Sequence, residues 1–156
     1  MGMAIDAPKL LIVDDDPVMT RLLSKWLEKA GYDVRCVYNG RDAISAIEDE
    51  CPHVLITDWE MPVMDGLELC SWLREQQLPH YVYTLFVTAR CCTEDMLKGL
   101  HAGADDFLKK PIDKCELLAR IQSGRRVIDL ERRLSQLAKY DSLTGLATQG
   151  TFFDEL

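Results

Sequence analysis

Asp14, Asp15 and Asp16 stand in a row directly after the aliphatic run "LLIV", and Asp58 closes a second such run, "HVLITD". Like charges side by side at the end of an apolar run repel one another, and they are costly there unless a cation neutralises them. Thr88 and Lys110 end two further apolar runs, "YVYTLFVTA" and "DFLKK". Hard carboxylate oxygens suit Mg2+, which takes few protein carboxylates and keeps water and substrate phosphate as its other ligands. An ammonium and a hydroxyl beside it can hold phosphoryl oxygens. Each residue alone has a plainer explanation, since aspartates cap helices and threonines populate strands. Five of them at matching positions argue for phosphoryl chemistry on a metal site.

Bringing these residues together requires a particular scaffold. The apolar runs Lys9 to Asp14, Asp33 to Tyr38, His53 to Asp58, Tyr81 to Ala89 and Asp106 to Lys110 are continuous rather than alternating, as in strands covered on both faces. Between the first two, Met19, Leu22, Leu23, Trp26 and Leu27 recur at helical spacing, with Asp16 as N-cap, Pro17 in the first turn and Gly31 at the C-terminal end. Further helices are expected near Arg41 to Glu50, Gly66 to Gln76 and Glu94 to Ala102. Strand and helix alternate five times, which implies a parallel α/β sheet with right-handed crossovers and helices on both faces. Ligands of such sheets bind beyond the carboxyl ends of the strands, where the five polar residues fall.

From Asp113 to about Lys139 the pattern is one long helix. Val127, Leu130, Leu134 and Leu137 alternate spacings of three and four, a coiled-coil seam that predicts a homodimer. Arg120, Arg125, Arg126, Arg132, Arg133 and Lys139 give this helix a basic flank, read as solvated, and Gly124 is expected to loosen it.

The net charge of -8 disfavours direct nucleic-acid binding by the body of the protein. No apolar run approaches the roughly 18 residues of a membrane span, and "MGMAIDAPK" resembles neither a secretory signal nor a myristoylation site. A cytoplasmic location without membrane contact is expected. Cys36, Cys51, Cys70, Cys91, Cys92 and Cys115 lack zinc-site spacing and read as reduced small apolar residues. Cys91-Cys92 is the pair whose position at a strand end could expose a thiol.

"LLIVDDDP", "LITDWEMPVMDG", "FVTA" and "FLKKPI" resemble the successive motifs of the response-regulator receiver domain of two-component signalling, in order and at matching spacing from about Lys9 to Ile121. The resemblance implies a flavodoxin-like, doubly wound (βα)5 sheet of strand order 2-1-3-4-5. It makes Asp58 the phosphoacceptor, charged by a sensor histidine kinase or phosphotransfer protein. It assigns Mg2+ to Asp15, Asp58 and the backbone carbonyl of Glu60, with Asp14 acting largely through a bound water. Lys110 and Thr88 would hold the phosphoryl group, Lys110-Pro111 would be cis, and Phe107 would be the aromatic switch that turns inward behind Thr88. Gly66 would permit a backbone conformation that a β-carbon resists. Glu60 and Arg90 would lie at the rim, where they could pair as a gate to water.

"KYDSLTGLATQGTFFDEL" is similar to the opening of a GGDEF diguanylate cyclase domain at Asp141, Leu143, Thr144, Gly145, Leu146 and Phe152, and departs from it at Ala147-Thr148-Gln149-Gly150. The expected organisation is a tail (1–8), a receiver (9–122), a helical stalk (123–139) and the start of an output domain (140–156). The chain would then be part of a longer cyclic di-GMP-producing protein and not itself a catalyst. An enzyme of another kind is the alternative: Asp14-x-Asp16 also resembles the D-x-D of haloacid-dehalogenase-type phosphatases, with Asp14 as nucleophile, but that leaves Asp58 unexplained.

Overall fold

The structure, a computed structural model, describes residues 7–89 and 92–144. Five strands, β1 (Lys9–Val13), β2 (Asp33–Val37), β3 (Val54–Asp58), β4 (Tyr83–Thr88) and β5 (Asp106–Lys109), alternate with α1 (Pro17–Lys29), α2 (Gly40–Asp49), α3 (Gly66–Glu75), α4 (Thr93–Ala102) and α5 (Lys114–Thr144). The strands form one parallel sheet in the order β2-β1-β3-β4-β5.

Successive residues of a strand point to opposite faces, so an apolar run needs cover on both. Leu10 and Ile12 pack with Leu23 and Leu27 of α1 and with Leu117 and Ile121 of α5. Leu11 and Val13 pack with Ala43 and Ile47 of α2 and with Leu69 and Leu73 of α3. The edge strands β2 and β5 are the less buried ones.

The helices begin and end on identifiable signals. The Asp16 carboxylate accepts the Val18 N–H at 3.0 Å, with Pro17 at the first helical position of α1. Gly31, at φ +98°, donates to Glu28 O while Tyr32 donates to Leu27 O, the paired bonds of a Schellman ending. Asp65 and Glu68 form a reciprocal capping box at the start of α3.

Two expectations about the last helix change. Gly124 does not interrupt α5: it is buried, and a β-carbon there would stand 2.6 Å from the Tyr83 ring, so the glycine admits that ring against the helix. The helix also runs past Lys139 to Thr144. Val127 is half-buried against the receiver core, whereas Leu130, Leu134 and Leu137 are 57%, 62% and 61% exposed. The free apolar stripe therefore starts at Leu130.

Candidate functional site

Parallel register places the carboxyl ends of the strands side by side: Val13 pairs with Thr57, Asp58 with Val87, and Thr88 with Lys109. Asp14 follows β1, Asp58 ends β3, Thr88 ends β4 and Lys110 follows β5. Four loops thus deliver their polar residues to one crevice.

Asp58 is held through both oxygens. Oδ1 accepts the Trp59 N–H at 2.7 Å, and Oδ2 lies 3.2 Å from Lys110 Nζ. The same ammonium is 3.7 Å from Asp14 Oδ2, and Asp14 Oδ1 accepts the Asp16 N–H at 2.9 Å. The Lys110 N–H donates to Thr88 O at 2.9 Å, which ties the loops after β4 and β5 together, and the Lys110-Pro111 bond is cis. Thr88 is buried beside them.

The charges are unequally matched. Asp14 is 3% exposed, and its pKa is pushed up to about 6 by burial and by the Asp58 and Asp15 carboxylates, against the lowering effect of the Asp16 N–H and Lys110. Burial works against the charge on Lys110, but Asp58 and Asp14 outweigh it and hold its pKa above the ordinary lysine value. One ammonium therefore faces three carboxylates. Asp14, Asp15 and Asp58 each offer an oxygen within 4.8 Å of the others, near the roughly 3–4.2 Å that separate ligands of an octahedral cation with bonds of about 2.1 Å. The donor set is all hard oxygen and anionic, and it fits Mg2+. Asp16 is not in the cluster; its carboxylate caps α1.

The loop after β3 departs from expectation in detail. Gly66 does not adopt a left-handed conformation; its β-carbon would meet Asp58 O at 2.4 Å, so the requirement is close approach, supported by Gly66 N–H donating to Trp59 O at 2.8 Å. The left-handed residue is Val63, at φ +73°, between Pro62 O and the Met64 N–H that bonds it at 2.8 Å. A β-branched residue at such a φ is strained.

Among the other expected residues, Glu60 lies exposed in this loop and Phe107 is half-buried on β5. Arg90 and Cys91 lie outside the described residues, and so does the chain from Gly145, including Leu146 and Phe152. Cys92 is exposed, with Sγ 3.1 Å from Asp95 Oδ2. Trp59, whose backbone N–H orients Asp58, is absent from the sequence reading because a backbone donor leaves no mark on residue type.

A doubly wound sheet of this strand order, carrying three carboxylates, a lysine and a threonine at its switch point, defines a receiver. The chain matches the family model of the response regulator receiver domain over residues 10–122 and belongs to that family. It is similar to the transcriptional regulatory protein TrcR of Mycobacterium tuberculosis, with 38% identity over 137 residues, 87% of this chain and 52% of that protein. The chain thus spans about half the length of that relative. Among solved structures, the receiver domain of the Francisella response regulator 1452 shares 31% identity at TM-score 0.71, over 76% of this chain and 97% of that one. The chemotaxis response regulator CheY4 of Vibrio cholerae shares 32% at TM-score 0.72, over 75% and 98%.

Proposed function

We propose that Asp58 accepts a phosphoryl group from a sensor histidine kinase or phosphotransfer protein to form an acyl phosphate. The observation that carries this is the placement of Asp58 Oδ2 on Lys110, with Asp14, Asp15 and Thr88 around it. Bound Mg2+, held by Asp14, Asp15, Asp58 and the Glu60 carbonyl, would supply charge neutralisation for the incoming phosphoryl oxygens. The Trp59 N–H fixes one oxygen of Asp58 and leaves the other for attack, while Lys110 and Thr88 receive the transferred oxygens. Thr88 and Phe107 would then carry the change to the face of β4, β5 and α5. Acetyl phosphate with Mg2+ should add one phosphoryl group to the wild type and none at that position in Asp58→Asn, as read by mass spectrometry. A group mapped to Asp14 would overturn this reading in favour of a phosphatase.

The exposed Leu130, Leu134 and Leu137, with Val127 at the receiver end, favour a parallel homodimer through α5. Polar substitutions at Leu130 and Leu134 should weaken it in sedimentation, since each leucine buries apolar area worth about 25 cal/mol per Å2. For the output we infer a diguanylate cyclase, supported by the likeness of Asp141, Leu143, Thr144, Gly145, Leu146 and Phe152. A transcriptional output is the second reading, favoured by the likeness to TrcR. Assaying the whole protein for cyclic di-GMP formation from GTP and for promoter binding separates them. Among the described residues no helix is long and apolar enough to cross a membrane, in keeping with the cytoplasmic location we infer.

A further inference from the structure

We propose that the cleft between the outer part of α5 and the loop before β4 binds a small organic anion with an apolar body, and that this ligand, touching both walls, fixes the stalk against the receiver. The cleft lies at the amino end of the sheet, away from Asp58, and nothing in it depends on the phosphoacceptor role.

Beyond the core, α5 presents two different faces. Leu130, Leu134 and Leu137 form one. Ile128, Glu131, Arg132, Ser135, Gln136 and Lys139, also spaced by three and four, form the other and line the cleft. The facing wall is built from residues of the segment Gln76 to Val82 together with His53. Between the walls lies about 640 Å3 of space open to solvent. Its floor is apolar, made by the buried Leu73, Val82 and Ile128 with Leu78 half-buried beside them.

The cleft is positive in a chain whose net charge is -8. Arg74 is committed to Asp105, which leaves Arg132 and Lys139 against Glu131 alone. Arg132 makes one hydrogen bond among the described residues, to Asp129 at 3.4 Å, so most of its five N–H donors remain for a ligand. His53 adds another donor. Its Nδ1 accepts the Lys9 N–H at 3.0 Å, so the proton of the neutral ring sits on Nε2. The ring lies nearly parallel to His80, with centroids 4.6 Å apart, which braces that wall.

Size decides between occupants. A helix about 10 Å across would fill 640 Å3 in about 8 Å, roughly five residues, too few to hold a helical peptide. The same volume falls within the roughly 300–1,000 Å3 of small-molecule sites. A carboxylate, sulfonate or phosphate can meet Arg132 while the body of the molecule covers Leu73, Leu78 and Ile128, removing apolar area from water. Because one wall belongs to the receiver and the other to the stalk, such a ligand couples the two.

Anilinonaphthalene sulfonate, an apolar body carrying one anion, is the probe, and phenylnaphthylamine is its uncharged twin. The sulfonate should bind the whole chain saturably, at about one per chain. Arg132→Gln should weaken it about fivefold, as the loss of a partly exposed charge-assisted contact, and should change binding of the uncharged twin less than about twofold. Arg133→Gln, next in sequence but outside the cleft, is the control for general electrostatics and should also change sulfonate binding less than about twofold. Gln136→Trp, at an exposed position, should fill the cleft and abolish binding without lowering Tm. Bound sulfonate should slow hydrogen exchange of the amides from Glu131 to Lys139 at least threefold. Absence of saturable binding, equal losses in Arg132→Gln and Arg133→Gln, an equal loss for the uncharged twin, or unchanged exchange in α5 would overturn the proposal. Affinity that falls as the protein is concentrated would give the cleft to a second copy of the chain and overturn it as well.

Discussion

At the carboxyl end of the sheet three carboxylates cluster around one lysine that pairs with two of them, Asp14 and Asp58, and Asp14 is buried with its charge opposed by its neighbours. At the amino end Arg74 meets Asp105 Oδ2 at 2.9 Å, Thr84 Oγ1 at 3.2 Å and Val82 O at 3.0 Å, and stacks over the Tyr81 ring. The Tyr81 hydroxyl donates to Asp105, whose other oxygen accepts the Thr84 N–H at 2.8 Å. Both ends gather ionisable groups in partly dry surroundings, yet one is matched atom for atom and the other carries more negative charge than its one lysine offsets. The matched end contributes stability; the unmatched end gives some up to keep a binding site.

That contrast can be broken first at Arg74. Arg74→Met takes the only cation paired with Asp105 among the described residues and the guanidinium donors of Gly103 O, and should cost about 3 kcal/mol, read as a lower urea midpoint at unchanged m-value. Acid attacks the same end. His53 Nδ1 accepts the Lys9 N–H at 3.0 Å, which only the neutral ring can do, and its ring stacks on His80 at 4.6 Å. Burial, then the charges of His80, Lys9 and Arg132, lower its pKa to about 4. The unfolded chain takes this proton near pH 6.5 and the folded one near 4, so stability should fall as pH drops through that window. The contribution is roughly 1–3 kcal/mol, and His53→Gln should flatten the slope in chemical denaturation.

At the carboxyl end the sign reverses. Asp14→Asn removes one of the crowded charges and should raise stability without Mg2+ by about 1 kcal/mol, while the rise in Tm on adding Mg2+ shrinks. A destabilised Asp14→Asn protein would erase the distinction between the two ends. The smallest effect is expected at Val63, which is 74% exposed: Val63→Asn relieves the left-handed strain and should add up to about 1 kcal/mol, measured by thermal unfolding.

The acidic end was legible in the sequence and the matched end was not, for a physical reason. Asp14, Asp15, Asp58, Thr88 and Lys110 each terminate an apolar run, so chemistry and strand position are written in adjacent letters. Arg74 draws its partners from 7 to 31 residues away, and nothing local to it marks a hub. The strands β1, β3 and β4 were readable because both faces are covered. Gly66, Gly99 and Gly124 were misread or passed over because what each admits, a carbonyl, a Phe107 ring or a Tyr83 ring, comes from another segment. Val63 looks like any exposed valine until its φ is known.

The uninterrupted course of α5 has a mechanical consequence. Its 31 residues make a rod of about 46 Å, clamped at one end by Leu117, Ile121 and Ile128 in the core. Beyond Leu130 roughly 20 Å of helix extends as a lever arm. A tilt of about 10° at the clamp would sweep the tip through roughly 3.5 Å, about two-thirds of the pitch of one helical turn. Small rearrangements among the side chains packed at the clamp would thereby reach the far end of the helix as a displacement of several ångströms.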